Sequence, residues 1–471
     1  MNRIRSFVRI AAVMSAVAAL AVPSFAARGK ADFTRFVVVG DSYGAGYEAG
    51  SLNERHQVFG WPAIVAQQAG LTLCTPTSTA ADNCFALPLI AYPGLPGGET
   101  VYNGAGLVTV PGSGAPRMAG FARPYNDLAV PGYTVGATML FTGSEPQSGL
   151  GQAILRGLGT EVDQAIALHP TFIAIWIGGN DFLGAVSAAS LTNPAAPLTP
   201  LATFTTQYGT MLDKLIAGAP SAGMVVGTLP NNFLAVPLTS TLPAVAITPS
   251  LTPVIVNGAP IPLFTILPDG TPGPLPTGSV VPLSALPLLQ QGYGLPPQLK
   301  TVAPFSALPH TGEPLPDAGY ISPSELATFV QRINDYNAAI VAAAGARDIP
   351  VADITGLFSS FQNGLNFGGV ALGKTFISGG IYSNDGTHLS DIGYTLFANQ
   401  YIKTINAAYG THIPVASITK FFQNNGQNFG FGASSNVVVS PEAAKNMSIL
   451  SIAAPEPVSA PTPAPRRRAG H

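Results

Sequence analysis

Four runs of consecutive apolar residues constrain how this chain can fold: "RFVVVG" (Arg35–Gly40), "TFIAIWIGG" (Thr171–Gly179), "GMVVGTLP" (Gly223–Pro230) and "IPVADI" (Ile349–Ile354). A strand with one solvated face alternates polar and apolar residues. Runs without alternation belong to strands buried on both faces. Segments with helical periodicity lie between and after them: "AIVAQQAG" (Ala63–Gly70), "LGQAILRGLGTEVDQAIAL" (Leu150–Leu168), "FTTQYGTMLDKLIAGA" (Phe204–Ala219) and "HLSDIGYTLFANQYIKTINAAYG" (His388–Gly410). A further helix begins at Ser322, a candidate N-cap, with Pro323 at the first helical position and Glu325 closing a capping box. Strands and helices in alternation imply an α/β fold, a parallel sheet covered by helices on both faces.

Two segments break this rhythm. Residues from about 71 to 126 are irregular and contain Cys74 and Cys84, the only cysteines. So close a pair suits a disulfide better than a metal site, since two thiolates without a histidine at ligand spacing do not make a structural zinc site. On the chain-entropy estimate the short loop would be stabilised by roughly 3 kcal/mol. Residues from about 231 to 320 are dense in Pro, Leu, Thr and Val, and their only charges are Asp269, Lys300, Glu313 and Asp317. The Asn-Gly and Asp-Gly pairs in "TPVIVNGAPIPLFTILPDG" read as hairpin turns. A structureless loop of that length does not suit a compact domain, so the segment is expected to be an inserted, β-containing cap.

The remaining organisation follows. Residues 1–26 read as an export signal: Arg3, Arg5 and Arg9 precede an apolar core, and Ser24 and Ala26 offer small residues for cleavage. The main body is expected over 33–410, a C-terminal extension packed on it over 411–450, and a disordered Pro-rich tail over 451–471. Charged residues make up only 9% of the chain, against about 25% in an average globular protein. A surface of Ser, Thr, Asn, Gln, Gly and Pro suits an exported chain, secreted or periplasmic. A net charge of −2 gives nucleic acid nothing to bind. Past the signal no apolar, Pro-free stretch is long enough to span a bilayer. A monomer is expected.

Acyl transfer requires a nucleophile, a base, a group that orients the base, and donors for the oxyanion. In "VVVGDSYGAG" (Val37–Gly46), Ser42 follows a buried strand and precedes a helix. That places it at the carboxyl edge of the sheet, where open α/β folds bind ligands. A helix N-cap is the competing role for this serine. His388 lies three residues after Asp385, with Gly386 and Thr387 suggesting a tight turn. Among the other histidines, His56 lies close to an acid, Glu54. Asn180 in "IWIGGNDF" ends a strand and offers a side-chain N–H, although Asn-Asp after Gly also forms Asx-turns. Gly132 in "LAVPGY" offers a turn N–H.

In this order, these residues resemble the SGNH (GDSL) hydrolase family. "GDSY" matches its first block, with Tyr43 where Leu is usual; Gly132 matches the second. "GGND" (Gly178–Asp181) matches the third, and Asp385 and His388 match the fifth. The resemblance covers about Phe36 to Tyr409 and leaves out the cysteine segment, the Pro-rich insertion and the tail. It implies a three-layer α/β/α sandwich of flavodoxin-like topology. It also implies catalysis by Ser42, His388 and Asp385. The oxyanion hole would be the N–H groups of Ser42 and Gly132 and the Asn180 side chain. No metal or organic cofactor is implied. The substrate would be an ester, a lipid or an acylated small molecule.

Other readings were set beside this one. "GDSYG" also fits the Gly-x-Ser-x-Gly elbow, but only one strand precedes it and no His-Gly-Gly motif does. A nucleotide-binding glycine loop lacks its Lys-Ser/Thr ending. An inactive SGNH-like surface- or ligand-binding protein, and a glycan O-acetyl esterase, stay open at this level.

Overall fold

The computed structural model describes residues 27–145, 149–191, 198–248, 250–367, 369–419, 438–440 and 443. The expected export signal and Pro-rich tail, and most of the expected extension over 411–450, lie outside the described residues. Each apolar run forms a strand: β1 (Phe36–Gly40), β2 (Phe172–Trp176), β3 (Gly223–Gly227) and β4 (Val351–Ala352), all parallel in the order 1-2-3-4. The first three are buried throughout, as their lack of alternation requires. β4 is shorter than its run because Asp353 leaves the strand to cap the helix Ile354–Asn363.

A fifth row lies outside β1. Val38 donates to Asn126, and Leu128 and Val130 donate back to Val38 and Gly40 at 3.0 and 3.1 Å. Residues 126–130 thus run parallel to β1. Since this segment comes second in the chain, the spatial order is 2-1-3-4-5, the flavodoxin-like order, whose ligand crevice opens at the strand ends between the first and third rows. β1 and β2 are those rows.

The helices that matter for the site are α1 (Ser42–Ala45), α2 (Trp61–Gln68), α3 (Glu161–Ala167), α4 (Asn180–Ser187), α5 (Leu201–Gly218), α6 (Pro323–Gly345) and α7 (Asp391–Tyr409). α3, α5 and α6 pack together on one face of the sheet, where Phe204 stacks on Tyr336 at 4.0 Å. α2 and α7 pack together on the other, where Trp61 stacks on Tyr401 at 4.4 Å. The fold is a three-layer α/β/α sandwich. α6 starts with the expected Ser322–Glu325 capping box and Pro323.

One sequence expectation needs correction. The periodic run Leu150–Leu168 is two helices, Gly149–Leu155 and α3. Arg156 at φ 57° and Gly157 at φ 71° end the first, and the Thr160–Asp163 capping box starts the second. The period survives because both pieces bury one face against the same core. The Pro-rich insertion is only partly β. Asn257-Gly258 turns the hairpin Ile255–Val256/Ala259–Pro260, and Phe264–Ile266 pairs with Pro272–Pro274. Much of the rest is short helical turns such as Pro237–Ser240 and Leu286–Gln290, because proline cannot donate to a ladder. The insertion builds its own apolar core around Leu263, Leu283, Leu286 and Leu315. Cys74 and Cys84 are disulfide-bonded.

Candidate active site

Asp41, not Ser42, caps α1: its carboxyl accepts the Tyr43 N–H at 3.1 Å. The N-cap role for Ser42 is thereby overturned. Ser42 is the first helical residue, and neither its hydroxyl nor its backbone N–H is hydrogen-bonded among the described residues. β1 aims this residue at the carboxyl edge of the sheet. One row outward, Gly132 follows segment 126–130 at φ +88°, and its N–H donates no backbone hydrogen bond among the described residues. One row inward, Asn180 is the first residue of α4, and its Nδ2 donates to the Tyr133 carbonyl at 3.0 Å. That bond uses one amide proton and leaves the other. Gly178 just before it has φ +116°, a conformation side chains avoid.

Asp385 and His388 form the tight turn their spacing suggested. Asp385 Oδ1 accepts the N–H groups of Thr387 and His388, both at 2.8 Å. Its Oδ2 accepts the Gly50 N–H at 3.0 Å and faces His388 Nδ1 at 2.9 Å. Burial alone would raise the Asp385 pKa. The charge and ring N–H of His388, with the two backbone N–H groups, outweigh burial and bring it down to about 2. An ionised Asp385 accepts the Nδ1 proton, so Nε2 is left as the acceptor. Nε2 is buried and has no hydrogen-bond partner. It is not hydrogen-bonded to Ser42. Such catalytic bonds are often open in free enzymes and tighten when substrate binds.

Tyr43 stands where the family motif usually has Leu. Its hydroxyl donates to the Thr387 carbonyl at 2.6 Å, and its ring lies 5.5 Å from that of His388 and 4.7 Å from that of Trp176. The residue after the candidate nucleophile is thus tied to the residue before the candidate base. Tyr47 packs on the other side of the imidazole at 4.8 Å. Burial pushes the Tyr43 phenol pKa well up, so it remains a donor. Glu54, near His56 in sequence, pairs with Arg117 at 2.6 Å instead. His56 meets Glu48, which precedes it, and Glu99 and Asp391, which lie farther along the chain.

Ser42, Asn180 and Thr387 line one cavity of about 580 Å³, its mouth included. Most of the remaining wall is apolar, with Phe182, Leu183 and Val186 from α4 and Phe233, Val236 and Leu238 from the start of the insertion, while Asp41, Asn232 and Thr239 add polar groups. Gly132, Asp385 and His388 stand outside this wall, though the Tyr43–Thr387 bond holds the histidine turn against it.

A parallel sheet with a hydroxyl, an amide and an Asp–His pair at its carboxyl edge defines the class of α/β serine hydrolases. Residues 36–401 match the model of the GDSL-like lipase/acylhydrolase family, and the chain belongs to that family. It is a serine hydrolase acting on ester bonds. No curated protein sequence matches the chain. Among solved structures it is similar to the Clostridium thermocellum family 3 carbohydrate esterase, at 13% identity over 80% of this chain and 96% of that one, with a TM-score of 0.31. It is also similar to phospholipase A1 from Streptomyces albidoflavus NA297, at 13% identity over 79% and 98%, with a TM-score of 0.31. The assignment rests on the family match, not on these distant likenesses.

Proposed function

We propose that the chain is an exported esterase or lipase in which Ser42 attacks the ester carbonyl. His388 Nε2 takes the Ser42 proton and returns it to the leaving alcohol. Asp385 fixes the imidazole tautomer and stabilises the imidazolium. The N–H groups of Ser42 and Gly132 and the free amide proton of Asn180 receive the oxyanion. Water then reverses the sequence and frees the acid. The body over 33–410 acts as one hydrolase domain carrying two insertions. The disulfide Cys74–Cys84 fits an oxidising, extracytoplasmic compartment. Among the described residues no helix is long and apolar enough to cross a membrane.

One observation carries the substrate class: Ser42 lines a cavity whose wall is mostly apolar. An acetyl group would touch little of this wall, whereas a medium or long acyl chain would cover it. Each buried methylene contributes about 0.8 kcal/mol. The test joins two measurements. A fluorophosphonate should label wild type and not Ser42→Ala, which should lose at least roughly 10³-fold in kcat. A series of aryl esters from acetate upward should then show kcat/KM rising with chain length. Equal labelling of Ser42→Ala removes the nucleophile; a strict acetate preference removes the acyl-chain reading.

A further inference from the structure

A second cluster of chemistry-bearing groups lies behind the site and plays no part in the reaction above. Glu48 sits in the loop that follows α1, and Asp391 is the first residue of α7. Both are buried, at 6% and 0% exposure, and His56 lies between them at 8%. His56 Nδ1 is 3.3 Å from Glu48 Oε2 and 3.1 Å from Asp391 Oδ1. Its Nε2 faces Glu99 Oε1 at 3.2 Å, and Glu99 is held in turn by the Asn53 amide. Among the described residues no Lys or Arg forms an ion pair with these acids, so three carboxylates face one imidazole.

One nitrogen and two carboxylates converge, with ligand atoms all within 4.8 Å of one another. Tetrahedral zinc with bonds of about 2.0–2.2 Å separates its ligands by about 3.3–3.5 Å. The spacings of 3.1 and 3.3 Å about Nδ1 are close to that edge. Glu99 on Nε2 is the outer carboxylate that metal-bound histidines characteristically carry, fixing Nδ1 as the lone-pair atom. A further observation also points to a ligand: among the described residues Glu48 Oε2 and Asp391 Oδ2 are buried acceptors without a hydrogen-bond partner, and Glu48 Oε2 faces the nitrogen. Leaving such groups unpaired in the interior is costly.

We propose that Glu48, His56 and Asp391 bind a divalent transition-metal ion, zinc by ligand type, with Glu99 orienting the histidine. Two carboxylates and a neutral imidazole neutralise a divalent charge, and a water would complete the tetrahedron. The role is structural. The ion would join the loop after α1 to the start of α7. That loop also gives the Ala49 N–H to Ser383 and the Gly50 N–H to Asp385. Binding would therefore hold the loop that follows the nucleophile against the acid–base turn.

The test uses the purified full-length chain. After dialysis against a chelator and then against metal-free buffer, zinc is titrated in while metal content and melting temperature are followed. Wild type should take up about one ion per chain and melt several degrees higher with zinc than without. His56→Ala and Asp391→Asn should lose uptake. Should either fail to fold, Glu99→Gln keeps all three ligands and should weaken zinc affinity by roughly 10- to 100-fold. Cobalt in place of zinc should give tetrahedral d–d absorption in wild type. A wild-type chain that takes up no zinc and melts at the same temperature with zinc or chelator would overturn the proposal and leave an imidazolium held by carboxylates. Uptake of calcium but not zinc would overturn it as well.

Discussion

Tyr43 joins the helix of the proposed nucleophile to the turn of the proposed base through a single 2.6 Å hydrogen bond across 344 residues of sequence. Tyr43→Phe keeps the ring contacts and leaves the Thr387 carbonyl unpaired, a loss of about 1–3 kcal/mol. If that bond positions His388, kcat should fall roughly 3- to 30-fold with KM little changed. Steady-state kinetics beside a melting curve decide: lower stability at full kcat would make Tyr43 a packing residue only. Asp181 supports the opposite side of the site by accepting the Val135 N–H at 3.0 Å. Burial raises its pKa from 3.8 to about 6. The folded chain therefore holds a proton that the unfolded chain releases between those values, so stability falls as pH rises from about 4 to 6 and stays lower above. Asp181→Asn is neutral in both states and should lack this fall, gaining up to about 3 kcal/mol on wild type above pH 6. Urea midpoints at pH 4 and 7.5 measure it, and an equal gap at both would clear Asp181 of the effect. Asp385 and His388 could be read from sequence because they stand three positions apart, with only Gly386 and Thr387 between them. The Tyr43 bond and the partners of His56 could not, because their spacing exists only in the fold.

Among the elements, α4 has a double task. Its first residue presents the Asn180 amide, and its next turns present Phe182, Leu183 and Val186 to the cavity. The motif letters "GGND" foretold only the first turn, since an apolar helix face reads alike whether it meets core or substrate. The distinction can be tested at Leu183, which is half-buried on the cavity wall. Leu183→Trp should fill the deep end and shift the optimum to shorter acyl chains. Acetate ester activity should stay within a few-fold, because one hydrocarbon pocket contact is worth about 1–3 kcal/mol. An unchanged chain-length profile would place the acyl chain elsewhere. The segment Leu150–Leu168 teaches the same limit from the other side. Its periodicity reported the buried face correctly, but hid a break that only Arg156, Gly157 and the Thr160 cap betray.

At the scale of the molecule, two apolar cores meet at the catalytic turn. The sandwich was legible because its strands are buried on both faces and so announce themselves as unbroken runs. The core of the insertion was not, because Pro/Leu sequence that folds into short turns carries no period to read. Yet the insertion reaches the centre of the site. The Leu238 N–H donates to the Gly386 carbonyl at 2.8 Å, and Gly386 lies between Asp385 and His388. At φ +75°, Gly386 leaves room for Leu283, whose Cδ1 would stand 2.4 Å from any added Cβ. Phe233, Val236 and Leu238 form one wall of the cavity. The insertion thus walls part of the cavity that the proposed acyl chain would enter. Bridges from Leu242 to Val281 and from Val280 to Ile321 bring its two ends near each other, so a short Gly-Ser linker can replace residues 243–319. That removal keeps the wall residues but strips the core that supports them. Long-chain esters should then lose far more kcat/KM than acetate, while fluorophosphonate labelling at Ser42 persists. Equal losses across the series, with labelling intact, would show that the insertion supports the catalytic turn and does not select the acyl chain.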